Sequence, residues 1–177
     1  MSDTTKSPTA AGTSPKFVFD RTYRASVDEL WELWTTKEGL ESWWGPAGFR
    51  TEVHAIEARP NGKLHYNHIA ETPEMVAAMK EMGRPASTTL HGRFSEFRPL
   101  ERLVLTQMID FLPGVEPYES TIMVDFFPSG EWVRMVVTLS PMHDEEFTKL
   151  ASQGLASQLA NLDQRFQSRN PIAMPGP

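Results

Sequence analysis

Five histidines and no cysteine set the first limits on the chemistry this chain can perform. Without thiols there is no disulfide framework, no thiolate metal centre and no cysteine nucleophile. His65 and His68 stand three apart on a predicted strand and so project to opposite faces, where they cannot share an ion. No His-Glu-x-x-His pair and no acidic calcium loop is present, so no metal is expected. There is also no Gly-x-Gly-x-x-Gly, phosphate loop or Gly-x-Ser-x-Gly elbow, and no cofactor is expected. His143-Asp144 opens the last predicted helix. It reads as a solvated pair flanking the cap, or as a general base with Tyr118 or Asp110 opposite. Trp31, Trp34, Trp43 and Trp44 fall at helical spacing or before a Gly-Pro turn, and read as core and cavity wall.

The elements that must position these groups follow from composition and period. The 177 residues are 40% hydrophobic and 23% charged, enough for one domain with a sizeable core. The net charge of −6 disfavours nucleic acid and anionic membrane surfaces, and no apolar run is long enough to span a bilayer. With no secretory signal at the start, a cytoplasmic home is the default expectation. Residues 1–16 are rich in Ser, Thr, Ala, Gly and Pro and 170–177 carry three prolines, so both read as flexible tails around a domain at 17–169.

Phe17 to Tyr23 alternates as a strand, and Ser26 with Glu29 forms a capping box before a helix carrying Leu30, Trp31 and Trp34. A second short helix, Lys37 to Trp44, ends at Gly45-Pro46. Three hairpins follow, at 51–70, 88–112 and 118–139, giving an antiparallel meander of about seven strands with the first. Pro73 to Met82 interrupts them as a methionine-rich amphipathic helix, either a satellite on the sheet rim or a lid. Asp144 then caps the longest helix, with an apolar stripe from Phe147 to Phe166. Gly154 in its middle predicts a close crossing over the sheet.

The stretch Arg21-Thr22-Tyr23-Arg24-Ala25-Ser26, then Leu30-Trp31, Trp34-Thr35, Leu40 and Trp43-Trp44-Gly45-Pro46, resembles the START-like superfamily. Within it, the chain is similar to proteins related to the heat-shock-protein-90 ATPase activator. Asn61-Gly62, His91-Gly92 with Phe94 and Glu96, and Leu103-Val104-Leu105-Thr106 extend the resemblance over Phe17 to Phe166. It implies an α+β helix-grip fold, a curved antiparallel sheet wrapped around the C-terminal helix with a cavity between them. Leu155 stands where many relatives have a tryptophan, and the 73–85 insert exceeds the short turn expected there.

On that pattern Leu64, Tyr66 and His68 face the helix, and strict alternation sends Gly92, Phe94 and Glu96 the same way. The expected ligand-lining set is Trp43, Trp44, Leu64, Tyr66, His68, Phe94, Glu96 and Leu155, with His68, Glu96 and His143 as acid–base candidates. Three functions are consistent with the resemblance: binding of a lipid-like or polyketide-like small molecule, polyketide cyclase or dehydratase catalysis, and association with a chaperone. The exposed edges of an open sheet also allow a homodimer.

Overall fold

A computed structural model describes residues 16–169; the two expected tails fall outside them apart from Lys16. Seven strands form one antiparallel sheet in the order β1-β7-β6-β5-β4-β3-β2. They are β1 (Phe17–Arg24), β2 (Phe49–Ile56), β3 (Lys63–Ala70), β4 (Ser87–Arg98), β5 (Arg102–Ile109), β6 (Tyr118–Ser129) and β7 (Trp132–Leu139). The helices are α1 (Val27–Thr35), α2 (Lys37–Glu41), α3 (Pro73–Glu81) and α4 (Glu145–Gln167). The sheet curves into a half-barrel around α4, which is the α+β helix-grip architecture.

The chain crosses from one sheet edge to the other through α1 and α2, and the helix caps explain where each starts. Ser26 accepts the Glu29 N–H at 3.1 Å, and Thr36 accepts the Gly39 N–H at 3.0 Å. α2 ends at Glu41, short of the predicted Trp44, because Trp43 and Trp44 turn inward instead of continuing the helix. There Trp43 packs edge to face on Trp34 and Trp44, which are tilted against each other, with ring centroids 4.8–5.4 Å apart. The Trp43 indole donates to the Leu33 carbonyl at 2.7 Å, which satisfies its buried polar atom.

α4 lays Leu155, Leu159, Leu162 and Phe166 into the core. Polar side chains of the same helix hold the turn after α2. Asn161 donates to the carbonyls of Trp43 and Gly45 at 2.8 and 3.0 Å, and Gln158 donates to that of Trp44. At the far end the Tyr23 hydroxyl donates to Asp163 at 2.6 Å, beside an Arg21–Asp163 ion pair at 3.2 Å. These contacts, from residues 158–163, fix the C-terminal half of the helix against the sheet and the turn after α2. Gly154 departs from its sequence reading: a Cβ there would meet no atom within 4 Å, so no close crossing requires it.

One irregularity decides which side chains face inward. Between Phe94 and Glu96 the β4–β5 register shifts, a bulge that leaves Ser95 without a ladder partner. Asn61, at φ 61°, donates its N–H to the Phe94 carbonyl at 2.8 Å, and Gly62 accepts from the Phe94 N–H at 2.9 Å. A Cβ on Gly62 would lie 1.9 Å from the Glu57 carbonyl, so only glycine permits this approach. After the bulge Phe97 faces the core, with its ring 5.4 Å from that of Phe94.

Candidate functional site

Between α4 and the concave face lies a cavity of about 150 Å³. It opens at one end of the sheet, where β3, β5 and β7 finish and β6 and α4 begin. Leu90, Ile109, Ile122, Leu139 and Leu155 make apolar wall, and Phe111, Met142, Phe147 and Ala151 continue it. The polar part comes from Trp44, Tyr66, His68, Gln107, Ser120 and Gln158.

Each polar group has a definite state. Tyr66 is 1% exposed, and burial pushes its hydroxyl pKa up to about 12. Gln107 donates an amide N–H to that hydroxyl. The Trp44 indole N–H, which is buried and completes no hydrogen bond of its own, lies near enough to offset part of the same shift. With Gln107 donating to its oxygen, Tyr66 keeps its own proton to donate. His68 sits two residues on, its ring 5.0 Å from that of Tyr66 and its Nδ1 3.2 Å from the Thr51 hydroxyl. Burial pulls the His68 pKa down to about 4, so at neutral pH the imidazole is uncharged. The cavity thus carries hydrogen-bonding groups and no net charge in its wall.

Of the residues singled out from sequence, Trp44, Tyr66, His68 and Leu155 come together on this wall. Trp43, Leu64 and Phe94 are buried in the surrounding core without lining the cavity. Glu96 is the correction. The bulge at Ser95 turns it to the outer face, where it pairs with Arg98 at 2.8 Å and Arg102 at 3.8 Å. Strict alternation failed there because one inserted residue reverses the parity of all that follow.

His143 lies at the mouth, its ring 4.9 Å from that of cavity-lining Phe147. Tyr118 accepts the His143 backbone N–H at 3.1 Å, and its hydroxyl is 2.8 Å from His143 Nδ1. Nε2 lies 3.5 Å from Asp144, so the tautomer with Nε2 protonated satisfies both ring nitrogens. Burial, with a contribution from Asp144, raises the Tyr118 pKa. Asp110, the other expected partner, is exposed and does not join this cluster among the described residues. Gln107, Phe111, Phe147 and Gln158 were not singled out as site residues by sequence reasoning. The inward parity of Gln107 with Leu105 and the place of Phe147 on the apolar stripe of α4 are the signals that point to two of them.

No three His, Asp or Glu side chains are grouped to hold a metal among the described residues, and no described helix is long and apolar enough to cross a membrane.

A curved sheet gripping a helix over a small, uncharged hollow defines the helix-grip class of domains. The chain belongs to the family of Activator of Hsp90 ATPase homolog 1-like proteins, whose pattern it matches over residues 24–167. Among solved structures it is similar to a protein from Chromobacterium violaceum, at 16% identity, 86% of this chain, 97% of that one and a TM-score of 0.68. An AHSA1 protein from Silicibacter pomeroyi matches at 17% identity, 88% of this chain, all of that one (100%) and a TM-score of 0.67. A protein from Arthrobacter aurescens matches at 20% identity, 84% and 82% coverage and a TM-score of 0.61. At these identities the likeness is one of fold. No curated protein matches significantly.

Proposed function

We propose that this domain binds a small, largely apolar molecule in the hollow between α4 and the sheet. The observation that carries this reading is the cavity itself: about 150 Å³ of unfilled space, apolar over most of its wall, with neutral hydrogen-bonding groups on one side. Apolar wall that faces unfilled space lacks the packing of a filled core, at a cost of up to about 24 cal/mol per Å³. Occupation by a ligand removes that cost. The volume matches that of an engineered apolar cavity of about 150 Å³ that takes up benzene. It therefore favours a ring-bearing, polyketide-like compound over a long acyl chain.

Native mass spectrometry of freshly purified protein, followed by calorimetry with ring-sized compounds, tests the reading. A retained or added compound should bind 1:1, and Ala151→Leu, which grows a side chain into the space, should abolish binding without unfolding the protein. Failure of every ring-sized compound to bind would refute it.

The Tyr118–His143 pair gives a second reading, a cyclase or dehydratase acting at the mouth. His143 acts as a general base where a substrate group displaces the Tyr118 hydroxyl from Nδ1, with Asp144 beside Nε2 to orient the ring. His68, at about 4, is too weak a base to serve at neutral pH. Turnover of an aromatic polyketide that is lost in His143→Ala and kept in His68→Asn would establish the enzyme; its absence leaves the binder. The chaperone role attached to the family's name is not carried over to this chain, because a fold does not transmit a function.

A further inference from the structure

The insert that interrupts the meander brings a cation against Phe111, one of the residues of the cavity wall. α3 buries Met79, and its Met75 lies against Gly48. Beyond the helix, the Arg84 N–H donates to the Met79 carbonyl at 2.8 Å. This places the guanidinium carbon 5.4 Å from the centre of the Phe111 ring, and Phe111 is part of the cavity wall. Arg84 is half-buried, and among the described residues no carboxylate lies within ion-pairing distance of it. Most other described arginines hold a carboxylate, as Arg93 holds Glu119 at 2.9 Å and Arg134 holds Asp20 at 2.7 Å. Burial pulls the Arg84 pKa down, the mark of a cation partly stripped of water with no anion to compensate. The aromatic face of Phe111 returns only part of that cost. On the α4 side, the residues at the helix start are Asp144, Glu145 and Glu146, which repel an anion.

We propose that Arg84 recognises the anionic group of the bound molecule, so that the ligand class is a small amphipathic carboxylate. Its ring occupies the hollow and its carboxylate reaches past Phe111 to the guanidinium. One planar fork suits a carboxylate, whereas a phosphate carries more charge and more acceptors than a single arginine satisfies. The inference rests on the small-molecule reading above, and it gives the α3 insert a purpose: delivering the residue that selects charge.

Calorimetry with three probes of one skeleton tests it: 3-phenylpropanoate, 3-phenylpropanol and 3-phenylpropylamine, against the wild type and Arg84→Gln. The wild type should bind the carboxylate about tenfold or more tighter than the alcohol, as a charge-assisted hydrogen bond provides. It should bind the amine most weakly. Arg84→Gln should remove the preference and leave the alcohol's affinity unchanged, and Arg84→Lys should keep part of it. Equal binding of carboxylate and alcohol by the wild type would overturn the role of Arg84 while leaving the cavity reading intact. Loss of alcohol binding in a folded Arg84→Gln protein would likewise overturn it, making Arg84 a piece of wall. No binding of any probe would overturn the inference, while the cavity reading falls only if the wider set of ring-sized compounds also fails to bind.

Discussion

The depressed pKa of His68 makes stability depend on pH in a way that one substitution isolates. In the unfolded chain a histidine titrates near 6.5; in the fold burial holds His68 at about 4. Above pH 6.5 both states are neutral and the residue contributes no pH dependence. As pH falls below 6.5 the unfolded chain takes up a proton that the native state refuses, and stability is lost until about pH 4, below which both are charged. Linkage between those two values amounts to about 2 kcal/mol by pH 5 and about 3 kcal/mol at the acid limit. For a domain of this size that is roughly a 4–8 °C fall in Tm at pH 5. The assay compares wild type and His68→Asn by urea unfolding between pH 7.5 and 4.5. Carboxylates titrate in both proteins, so the difference between the curves belongs to His68. The wild type should lose about 2 kcal/mol more than the variant on going to pH 5, and the imidazole proton resonances should stay near their neutral positions down to about pH 5. Parallel curves, or an imidazole titrating near 6.5, would refute the reasoning that the wall of the cavity is dry enough to exclude the charged form.

Three further outcomes are expected. Gly154→Ala should stabilise the protein by about 1 kcal/mol, because the site is helical and open, and thermal unfolding should rise by a few degrees. Tyr66→Phe removes the acceptor for Gln107 and the group beside the Trp44 N–H; denaturant titration should show a loss of about 1–3 kcal/mol. Glu96→Gln touches only exposed arginine pairs, so calorimetry should find ligand affinity unchanged and stability within about 0.5 kcal/mol.

Much of the molecule is written locally. The capping residues Ser26 and Asp144, the turn at Asn61-Gly62 and the alternation in β3 and β7 mark their elements because each depends on neighbours a few residues away. The same holds for the leucine stripe of α4, whose 3.6-residue period fixes the face it buries. Tyr66 and His68 could be placed on one wall from parity alone, since no bulge interrupts β3 against β4.

Tertiary structure decided the rest. Whether Glu96 faces the hollow depends on one unpaired residue at Ser95, held by a hydroxyl contact to Thr106 at 2.6 Å across to β5. Gln158 and Asn161 carry no local signal, yet they clamp the Trp43–Gly45 turn more than a hundred residues away. The pairing of Arg84 with Phe111 joins an insert to a strand end, and neither segment alone specifies it. Local period determines which elements form, because a turn or a cap involves only adjacent residues. The volume left between them, and the charge at its edge, are set by contacts between residues distant in the chain, which no local pattern encodes.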